Sequence, residues 1–437
     1  MCGITGIISL KDKKISRPET RIKRMTDMLT FRGPDYQGVY VSDDKKVAMG
    51  NTRLAISDPH NPLPQPMKSR DNKYIINYNG EIYNDLDLRN SLQQKGIKFR
   101  SNLDTEILLE GLHLHGEDFL HEIDGMWAFA YFDKKKNEVL LSRDVLGERH
   151  IFYRIINNEF IFCSEIPPII ADAMGSVDMD FINIMKSFRY GVAPPGETII
   201  KGIKRMLPGH NIMIRKNQEP LQYLHRILHP EKWFDFFNNE PSLSDTINTF
   251  QEIFYRVCKR RIPREVPYAS TLSGGLDSAI VALYASDFGE QEIDTVFAHS
   301  DPTPSTKSPT DLSEFRASQI SSCKIKSNHH TDEALWLVGN KYTALDLNRC
   351  IDALLNLAGN AFDGLVDEAA ASLEILAWQG RNINKKVMLI SEGPDELSGG
   401  YICDQQAFLE ETIQVKNWLM NIQNLIVLST TPHFTKL

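Results

Sequence analysis

The chain of 437 residues contains few cysteines and no apolar run long enough to cross a membrane. Its six cysteines lie far apart and form no Cys-x-x-Cys pair, so neither a zinc cluster nor a disulfide framework is expected. A membrane span needs roughly 20 consecutive apolar residues, and no run of that length is present. The first apolar stretch, Ile4 to Leu10, lacks the basic lead of a signal peptide. These absences predict a cytoplasmic protein that makes no use of a membrane.

Long basic segments, internal repeats and low-complexity regions are also absent. The 49 basic and 57 acidic residues give a net charge of -8, which argues against nucleic acid as a partner. A hydrophobic content of 42% and a charged content of 24% are ordinary for a soluble globular protein. The length exceeds that of one typical domain, and we therefore expect two domains.

A Gly-Gly loop with the sequence SGGLDS joins a short apolar strand to a helix in the second half of the chain. The glycines allow backbone N-H groups to face an anion at the positive end of the helix, and the serines add hydroxyl donors. Asp277 suits a Mg²⁺ ion held between its carboxylate and phosphate oxygens. The loop lacks the lysine of a Walker A motif, which predicts ATP held by its pyrophosphate half and cleaved to AMP. An ordinary glycine turn is the alternative. The candidate nucleotide contacts are Leu272, Ser273, Gly274, Gly275, Asp277 and Ser278.

A second strand, over residues 385–390, is followed by the acid-rich sequence EGPDE. Open α/β sheets place their ligands at the carboxyl ends of parallel strands, where these acids would lie. Asp395 could share Mg²⁺ with Asp277, and Glu392 could orient an acyl acceptor or take a proton. A helix N-terminus rich in acids is the alternative, but it does not explain the paired glycines that follow.

The chain begins MCGITGII, with a cysteine directly after the initiator. Removal of Met1 would give Cys2 a free α-amino group with a pKa of about 8 beside its thiol. The two groups could then act together as base and nucleophile. From this residue alone, a chance cysteine is the simpler interpretation.

Three further segments of the first half carry polar residues with two possible uses. Arg53, at the start of a predicted strand, could clamp a substrate carboxylate or be a solvated edge residue. Asn79 and Gly80 predict a hairpin turn, but an Asn amide beside a Gly N-H could also bind an oxyanion. Asp104 could cap the helix that follows it or bind a substrate ammonium group.

Short apolar strands at close spacing characterise the first half, with helices only near Arg21, Leu86 and Ile107. This pattern predicts stacked antiparallel sheets. The second half is predicted to begin with an amphipathic helix from about Leu243 to Arg261.

Together these motifs resemble the glutamine-dependent asparagine synthetases that have an N-terminal-nucleophile glutaminase domain. The resemblance extends from Met1 to about Tyr401. The matching segments are residues 1–3, 32–35, 53–56, 79–84, 104–106, 143–144, 273–278 and 392–396.

The resemblance implies a two-domain protein of the α/β and α+β classes. Residues 1–212 would form the four-layer αββα sandwich of N-terminal-nucleophile hydrolases, and residues 213–242 a linker. Residues 243–437 would form a doubly wound parallel sheet of the type that binds ATP through a pyrophosphate loop.

The resemblance also implies roles for individual residues. Cys2 would be the nucleophile, Asn79 and Gly80 the oxyanion hole, and Arg53 and Asp104 the groups that hold the carboxylate and ammonium of glutamine. The pocket would be completed by Leu54, Ala55, Ile56, Ser57 and Glu81. Ile390 and Ser391 would lie beside the nucleotide, and Asp277 and Asp395 would bind the metal.

The implied reaction is amide synthesis. Glutamine is hydrolysed to glutamate and ammonia, and ammonia attacks an acyl-adenylate made from ATP and aspartate with Mg²⁺. The products are asparagine, AMP and pyrophosphate. The protein could also assemble as a homodimer. Two alternatives are the amidation of another carboxylate by the same fold, and a regulatory or binding protein with a vestigial synthetase half.

The chain departs from the family pattern at three places. The sequence Gly147-Glu148-Arg149-His150 replaces a Gly-x-Lys-Pro run, and we expect this to affect domain packing and not cysteine chemistry. Ile390-Ser391 replaces Ser-Gly, which would crowd the nucleotide. Residues 402–437 are fewer than the family's long helical segment with its catalytic lysine, so we expect slow or absent amide synthesis by this chain alone.

Overall fold

The computed structural model describes residues 1–61, 63–172, 177–190, 193–226, 238–239, 241–288, 292–299, 309–333 and 368–393. Its first half contains two six-stranded antiparallel sheets. One sheet consists of β1 (Gly3–Ser9), β2 (Tyr36–Val41), β3 (Val47–Arg53), β8 (Phe152–Ile156), β9 (Glu159–Cys163) and β10 (Ile203–Arg205). The other consists of β4 (Met67–Lys68), β5 (Tyr74–Ile82), β6 (Gly125–Asp133), β7 (Glu138–Arg143), β11 (His210–Arg215) and β12 (Leu221–Leu224).

The two sheets pack face to face because their strands alternate between two apolar surfaces. On β1, Ile4 and Ile8 belong to the core between the sheets, whereas Ile7 belongs to the core under the helices of the first sheet. The helices α1 (Pro18–Asp27), α4 (Ile166–Asp172) and α5 (Phe181–Tyr190) cover the first sheet. The helices α2 (Asp85–Gln94) and α3 (Asp104–His115) cover the second. The expected four-layer αββα sandwich is therefore confirmed.

The second half contains a parallel sheet with the strand order β15-β14-β13-β16. The order reverses between β13 and β16, so the carboxyl ends of these two strands flank the crevice where doubly wound sheets bind ligands. The expected doubly wound sheet is thus confirmed for the described residues. Its elements are α6 (Leu243–Arg261), β13 (Tyr268–Thr271), α7 (Leu276–Phe288), β14 (Asp294–His299), α8 (Pro309–Ile325), β15 (Asn328–Glu333), α9 (Glu368–Asn382) and β16 (Val387–Leu389).

Two local predictions need correction. Asn79 and Gly80 do not form a hairpin turn, because β5 continues through them and they pair with Ala128 and Trp127 of β6. The stretch predicted as linker contains β12, which pairs with β11 and so extends the second sheet to Leu224. A domain boundary at 212 would cut β11, which ends at Arg215. Residues 227–237 and residue 240 lie outside the described residues, and the boundary at 242 stays a prediction.

The two halves contact each other through arginines at the end of α6. Arg264 pairs with Asp85 at 2.6 Å, and Arg260 pairs with Asp87 at 2.7 Å. The guanidinium of Arg261 lies over the ring of Tyr83, 4.3 Å from its centroid. These contacts place the second domain against the end of β5 that carries Asn79 and Gly80.

Candidate active site

Cys2 lies directly before β1, and its backbone is held by a buried ion pair. Arg32 donates from Nε to the carbonyl of Cys2 at 2.8 Å and forms a salt bridge with Glu165. The Cys2 thiol faces the carbonyl of Leu54, with Sγ and the oxygen 3.8 Å apart. Burial raises the pKa of this thiol, which keeps it protonated in the absence of a base.

The amino group that precedes Cys2 is also shielded from solvent. The ammonium of Met1 donates to the carbonyl of Arg32 at 3.1 Å. Burial lowers the pKa of this amino group to about 5. The Met1 amino group is therefore largely neutral at pH 7.

A pocket opens beside Cys2 and collects most of the residues that the sequence predicted for the first site. Ala55 is an exception, because it is buried and only its backbone N-H contributes, by donating to Asp35 at 2.7 Å. The residues lining the pocket are Met1, Cys2, Arg53, Leu54, Ile56, Ser57, Gln65, Tyr78, Asn79, Gly80, Glu81, Leu103, Asp104, Thr105, Met126 and Arg149.

Asn79 presents an unused donor to this pocket. Its side chain is 1% exposed, and its Nδ2 makes no hydrogen bond in the described part of the chain. A buried amide donor without a partner is unfavourable by roughly 1–3 kcal/mol, and a ligand in the pocket would remove this cost. Gly80 follows it, and a Cβ there would collide with the carbonyl of Met126 and the ring of Tyr78. Residue 80 is therefore glycine because protein atoms already occupy the space of a side chain.

Asp104 is the first residue of α3 and points its carboxylate into the pocket wall. It accepts from the Tyr78 hydroxyl and the Ile82 N-H, both at 3.2 Å, and from the Thr105 N-H at 2.7 Å. Burial outweighs these hydrogen bonds and raises the pKa of Asp104 to about 6. Burial, together with the neighbouring Asp104, raises the pKa of Glu81 to about 7. Two buried acids with raised pKa values favour a cationic ligand.

Arg53 lies at the end of β3 and organises the segment that follows it. Its guanidinium donates to the carbonyls of Ser57 at 2.7 Å, Asp58 at 3.2 Å and Asn61 at 2.9 Å. Three of its five N-H groups are used in this way, which leaves donors on Nε and Nη1 for a carboxylate. Arg53 is therefore buried and structured, and the solvated-edge interpretation is wrong.

Sequence reasoning missed several residues of this site. Tyr78 holds Asp104, and Arg149 lines the pocket beside Cys2 although we expected its segment to affect only domain packing. Arg32 and Asp35 belong to a recognised motif, but nothing in the sequence tells which carbonyl or N-H each one binds. The two residues are the ends of the sequence Arg-Gly-Pro-Asp, and this motif is the signal that could have identified them as site residues.

The Gly-Gly loop lies between β13 and α7, as the sequence predicted. The Ser278 hydroxyl accepts from the Ser273 N-H at 3.1 Å, and the two hydroxyls are 2.9 Å apart. Gly274 has a φ of +91°, a value that side chains rarely allow. Leu272 is fully buried, so only its backbone could face a nucleotide. The loop thus exposes Ser273 and Gly275 at the positive end of α7, whereas Ser278 is buried beneath them.

The second group of predicted residues lies only partly within the described part of the chain. Asp277 is half-buried in the first turn of α7, and Ile390, Ser391 and Glu392 follow β16 at the same sheet edge. Asp395 lies outside the described residues. The residues described include no group of three His, Cys, Asp or Glu side chains suited to a metal. Asp277 fits a Mg²⁺ ion bound mainly by phosphate oxygens, because such ions need only one or two carboxylates.

A four-layer sandwich with a cysteine directly before its first strand defines the class of N-terminal-nucleophile folds. Residues 1–224, a little over half of the chain, match the glutamine amidotransferase domain family, and the chain belongs to that family. Residues 249–427 match the asparagine synthase family.

Several proteins named as asparagine synthetases are similar to this chain. The glutamine-hydrolysing asparagine synthetase 3 of Bacillus subtilis is 34% identical over 67% of this chain and 46% of its own length. The glutamine-hydrolysing asparagine synthetase 1 of the same organism is 28% identical, over 92% of this chain and 59% of its own. Asparagine synthetase B of Escherichia coli is 24% identical, over 92% of this chain and 65% of its own. The chain thus spans about half to two thirds of these relatives. None of its described helices is long and apolar enough to span a membrane.

Proposed function

We propose that this chain is a glutamine-dependent asparagine synthetase, in which the first domain releases ammonia from glutamine and the second uses it. The observation that carries the proposal is the unpartnered Asn79 amide, which faces the same pocket as the Cys2 thiol. A buried donor beside a buried nucleophile is the arrangement that acyl transfer through an oxyanion requires. Support for the second half comes from the match to the asparagine synthase family.

Glutamine would bind with its two charged ends on opposite walls of the pocket. Its carboxylate would accept from one of the remaining donors of Arg53, on Nε or on Nη1, and its ammonium would lie against Asp104. The side-chain amide would then extend toward Cys2 and Asn79. This assignment gives no direct contact to two charged pocket residues, Arg149 and Glu81. Glu81 adds negative potential beside the ammonium.

The first chemical step would be attack of the Cys2 sulfur on the amide carbon. After removal of Met1, the α-amino group of Cys2 takes the thiol proton, and the carbonyl oxygen becomes an oxyanion held by Asn79 Nδ2 and the Gly80 N-H. Collapse breaks the C-N bond, the amino group returns its proton to the leaving nitrogen, and ammonia departs. Water then cleaves the thioester and gives glutamate.

The second domain would bind ATP with the exposed donors of residues 273–278 on its phosphates. Mg²⁺ at Asp277 and Asp395 would neutralise the charge of the departing pyrophosphate when the aspartate carboxylate attacks the α-phosphate. Glu392 would take a proton from the ammonia nitrogen as the amide forms. We include three further points in this proposal: Mg²⁺ as the metal, aspartate as the acceptor and a homodimer as the assembly.

The test is a product analysis with purified protein, glutamine, Mg²⁺ and ATP. We expect glutamate in all reactions, and AMP with pyrophosphate only when aspartate is present. Formation of ADP and phosphate would contradict the adenylation step. If AMP forms only with a carboxylate other than aspartate, the acceptor is different but the proposed mechanism is unchanged. Absence of Mg-ATP binding in calorimetry would point instead to a vestigial second half.

A further inference from the structure

A lysine of the second domain contacts the first domain beside the glutamine pocket. Lys386 donates from Nζ to Asp35 Oδ2 at 2.7 Å, and the same oxygen accepts from the Ala55 N-H at 2.7 Å. The two side chains are 29% and 30% exposed, so the contact is partly exposed to water. Burial opposes the charge of Asp35, but the hydrogen bonds from Lys386 and Ala55 outweigh it and lower the pKa of this carboxyl.

The segment that Asp35 holds is part of the pocket wall. Ala55 follows Leu54, whose carbonyl faces the Cys2 thiol at 3.8 Å, and Ile56 and Ser57 line the pocket. A displacement of the Ala55 backbone therefore moves the group that contacts the nucleophile.

A second residue from the other domain contacts the same segment. Glu265 accepts a hydrogen bond from the Asp58 N-H. Asp58 adopts a left-handed backbone with a φ of +47°, and its carbonyl accepts from Arg53 at 3.2 Å. The pocket segment is thus attached to the second domain near both of its ends.

Lys386 is connected in turn to the predicted nucleotide edge. Its N-H donates to the Pro267 carbonyl at 3.1 Å, next to β13, and it directly precedes β16. The carboxyl ends of β13 and β16 carry the residues expected to contact ATP. A strand of three residues spans roughly 10 Å, so Lys386 and the nucleotide edge are the two ends of one short rigid element.

We propose that Lys386 is a positioning residue for the glutamine pocket. Through Asp35 it fixes the segment formed by residues 54–57, so the placement of the second domain's sheet sets the affinity of the first domain for its substrate. The identity of that substrate as glutamine rests on the function proposed above. Partly exposed pairs contribute little to folding, so loss of Lys386 alters the pocket and leaves the fold intact.

The experiment compares Lys386→Met with Lys324→Met in the full chain. Both variants remove one positive charge from the second domain, but Lys324 is exposed on α8, outside the contact with the first domain. For Lys386→Met we expect the KM for glutamine to rise about tenfold with kcat changed less than twofold, while ammonia-dependent synthesis keeps its wild-type rate. Lys386→Arg should restore most of the affinity. Rising salt should increase the wild-type KM more than that of Lys386→Met, because the Lys386–Asp35 contact is screened only in the wild type.

A readout without catalysis separates this inference from the proposed function. Iodoacetamide alkylation of Cys2, followed by mass spectrometry, reports the reactivity and accessibility of the thiol, which a displacement of the Leu54 carbonyl would change. If the wild-type protein hydrolyses no glutamine, the proposed function fails, but Lys386→Met must still change the alkylation rate more than Lys324→Met does. Equal alkylation rates in the two variants, or an equal KM where glutamine is hydrolysed, would overturn the role of Lys386.

Discussion

At the scale of single residues, Asn79 gives the most direct test of the pocket. Because its Nδ2 has no partner among the described residues, its contribution should come only when an oxyanion forms. We expect Asn79→Ala to lower kcat for glutamine hydrolysis by roughly a hundredfold to a thousandfold with little change in KM. Steady-state release of glutamate measures both. A large rise in KM with kcat unchanged would instead assign Asn79 to ground-state binding.

The pH dependence of glutamine use should reflect Asp104. Its pKa is raised to about 6, so the free pocket loses the negative charge of this carboxyl as the pH falls below that value. A substrate ammonium binds only the charged form, and kcat/KM should therefore fall about tenfold per pH unit below pH 6. The measurement is a pH profile of kcat/KM for glutamine.

Glu81 supplies the control for this profile, because its own pKa is raised to about 7. In Glu81→Gln the break near pH 6 should remain. If the break disappears in this variant, the group that titrates is Glu81. A flat profile down to pH 5 would show that Asp104 does not bind the ammonium.

The sequence predicted the residues whose chemistry is unusual for their position. A cysteine at position 2, an arginine beside an apolar strand and an Asn-Gly pair each allow few uses. The strand was predicted to start near Arg53, and this is wrong, because β3 ends at Arg53. Tyr78 was missed because an aromatic residue on a buried strand is ordinary, and its hydroxyl becomes significant only through its 3.2 Å contact with Asp104. Long-range partners of this kind depend on the packing of α3 against β5, which local pattern does not encode.

At the scale of elements, β5 shows how one strand shapes the oxyanion site. Gly80 remains in the strand and not in a turn, and a side chain there would displace the Met126 carbonyl or the Tyr78 ring. We expect Gly80→Ala to destabilise the protein by about 1–3 kcal/mol and to reduce glutamine hydrolysis at least tenfold, because Asp104 loses its partner Tyr78. Chemical denaturation and glutamate release measure the two effects.

Gly96 is a suitable control for this substitution. It has a φ of +92° with no atom within 4 Å of an added Cβ, so Gly96→Ala introduces backbone strain without a clash. That variant should lose about 1 kcal/mol of stability and no activity. If Gly80→Ala behaved in the same way, packing against Tyr78 would not be the reason for glycine at position 80.

The loop between β13 and α7 is the corresponding element of the second domain. Asp277→Asn should raise the Mg²⁺ concentration needed for pyrophosphate release and slow that release about tenfold or more, because an amide is a weaker ligand for this ion. Glutamine hydrolysis should be unaffected. Asp287→Asn, an exposed carboxylate near the end of the same helix, is the matched control. Unchanged pyrophosphate release at low Mg²⁺ would separate Asp277 from the metal.

At the scale of the whole molecule, the architecture of both domains followed from strand spacing and from the resemblance, but their contact did not. Arg260 and Arg261 form the basic end of an amphipathic helix, and Arg264 follows it, a pattern that fits helix electrostatics as well as an interface. Their partners Asp85 and Asp124 lie more than a hundred residues away in sequence. Such pairs become visible only when both domains are folded.

The two-domain organisation predicts that loss of one atom, the sulfur of Cys2, separates glutamine hydrolysis from ammonia-dependent synthesis. Cys2→Ala should abolish glutamine hydrolysis, because no other group in the pocket can form the thioester, while synthesis from added ammonia should continue at the wild-type rate. Cys2→Ser should retain a low hydrolysis rate, since a hydroxyl is the weaker nucleophile near neutral pH. Cys258→Ala, which removes a half-buried thiol from α6, controls for the loss of a cysteine and should retain both activities. Parallel assays of glutamate and asparagine from the same preparations test whether the two activities have separate sites. Equal loss of both products in Cys2→Ala would show that the chain has one site and not two.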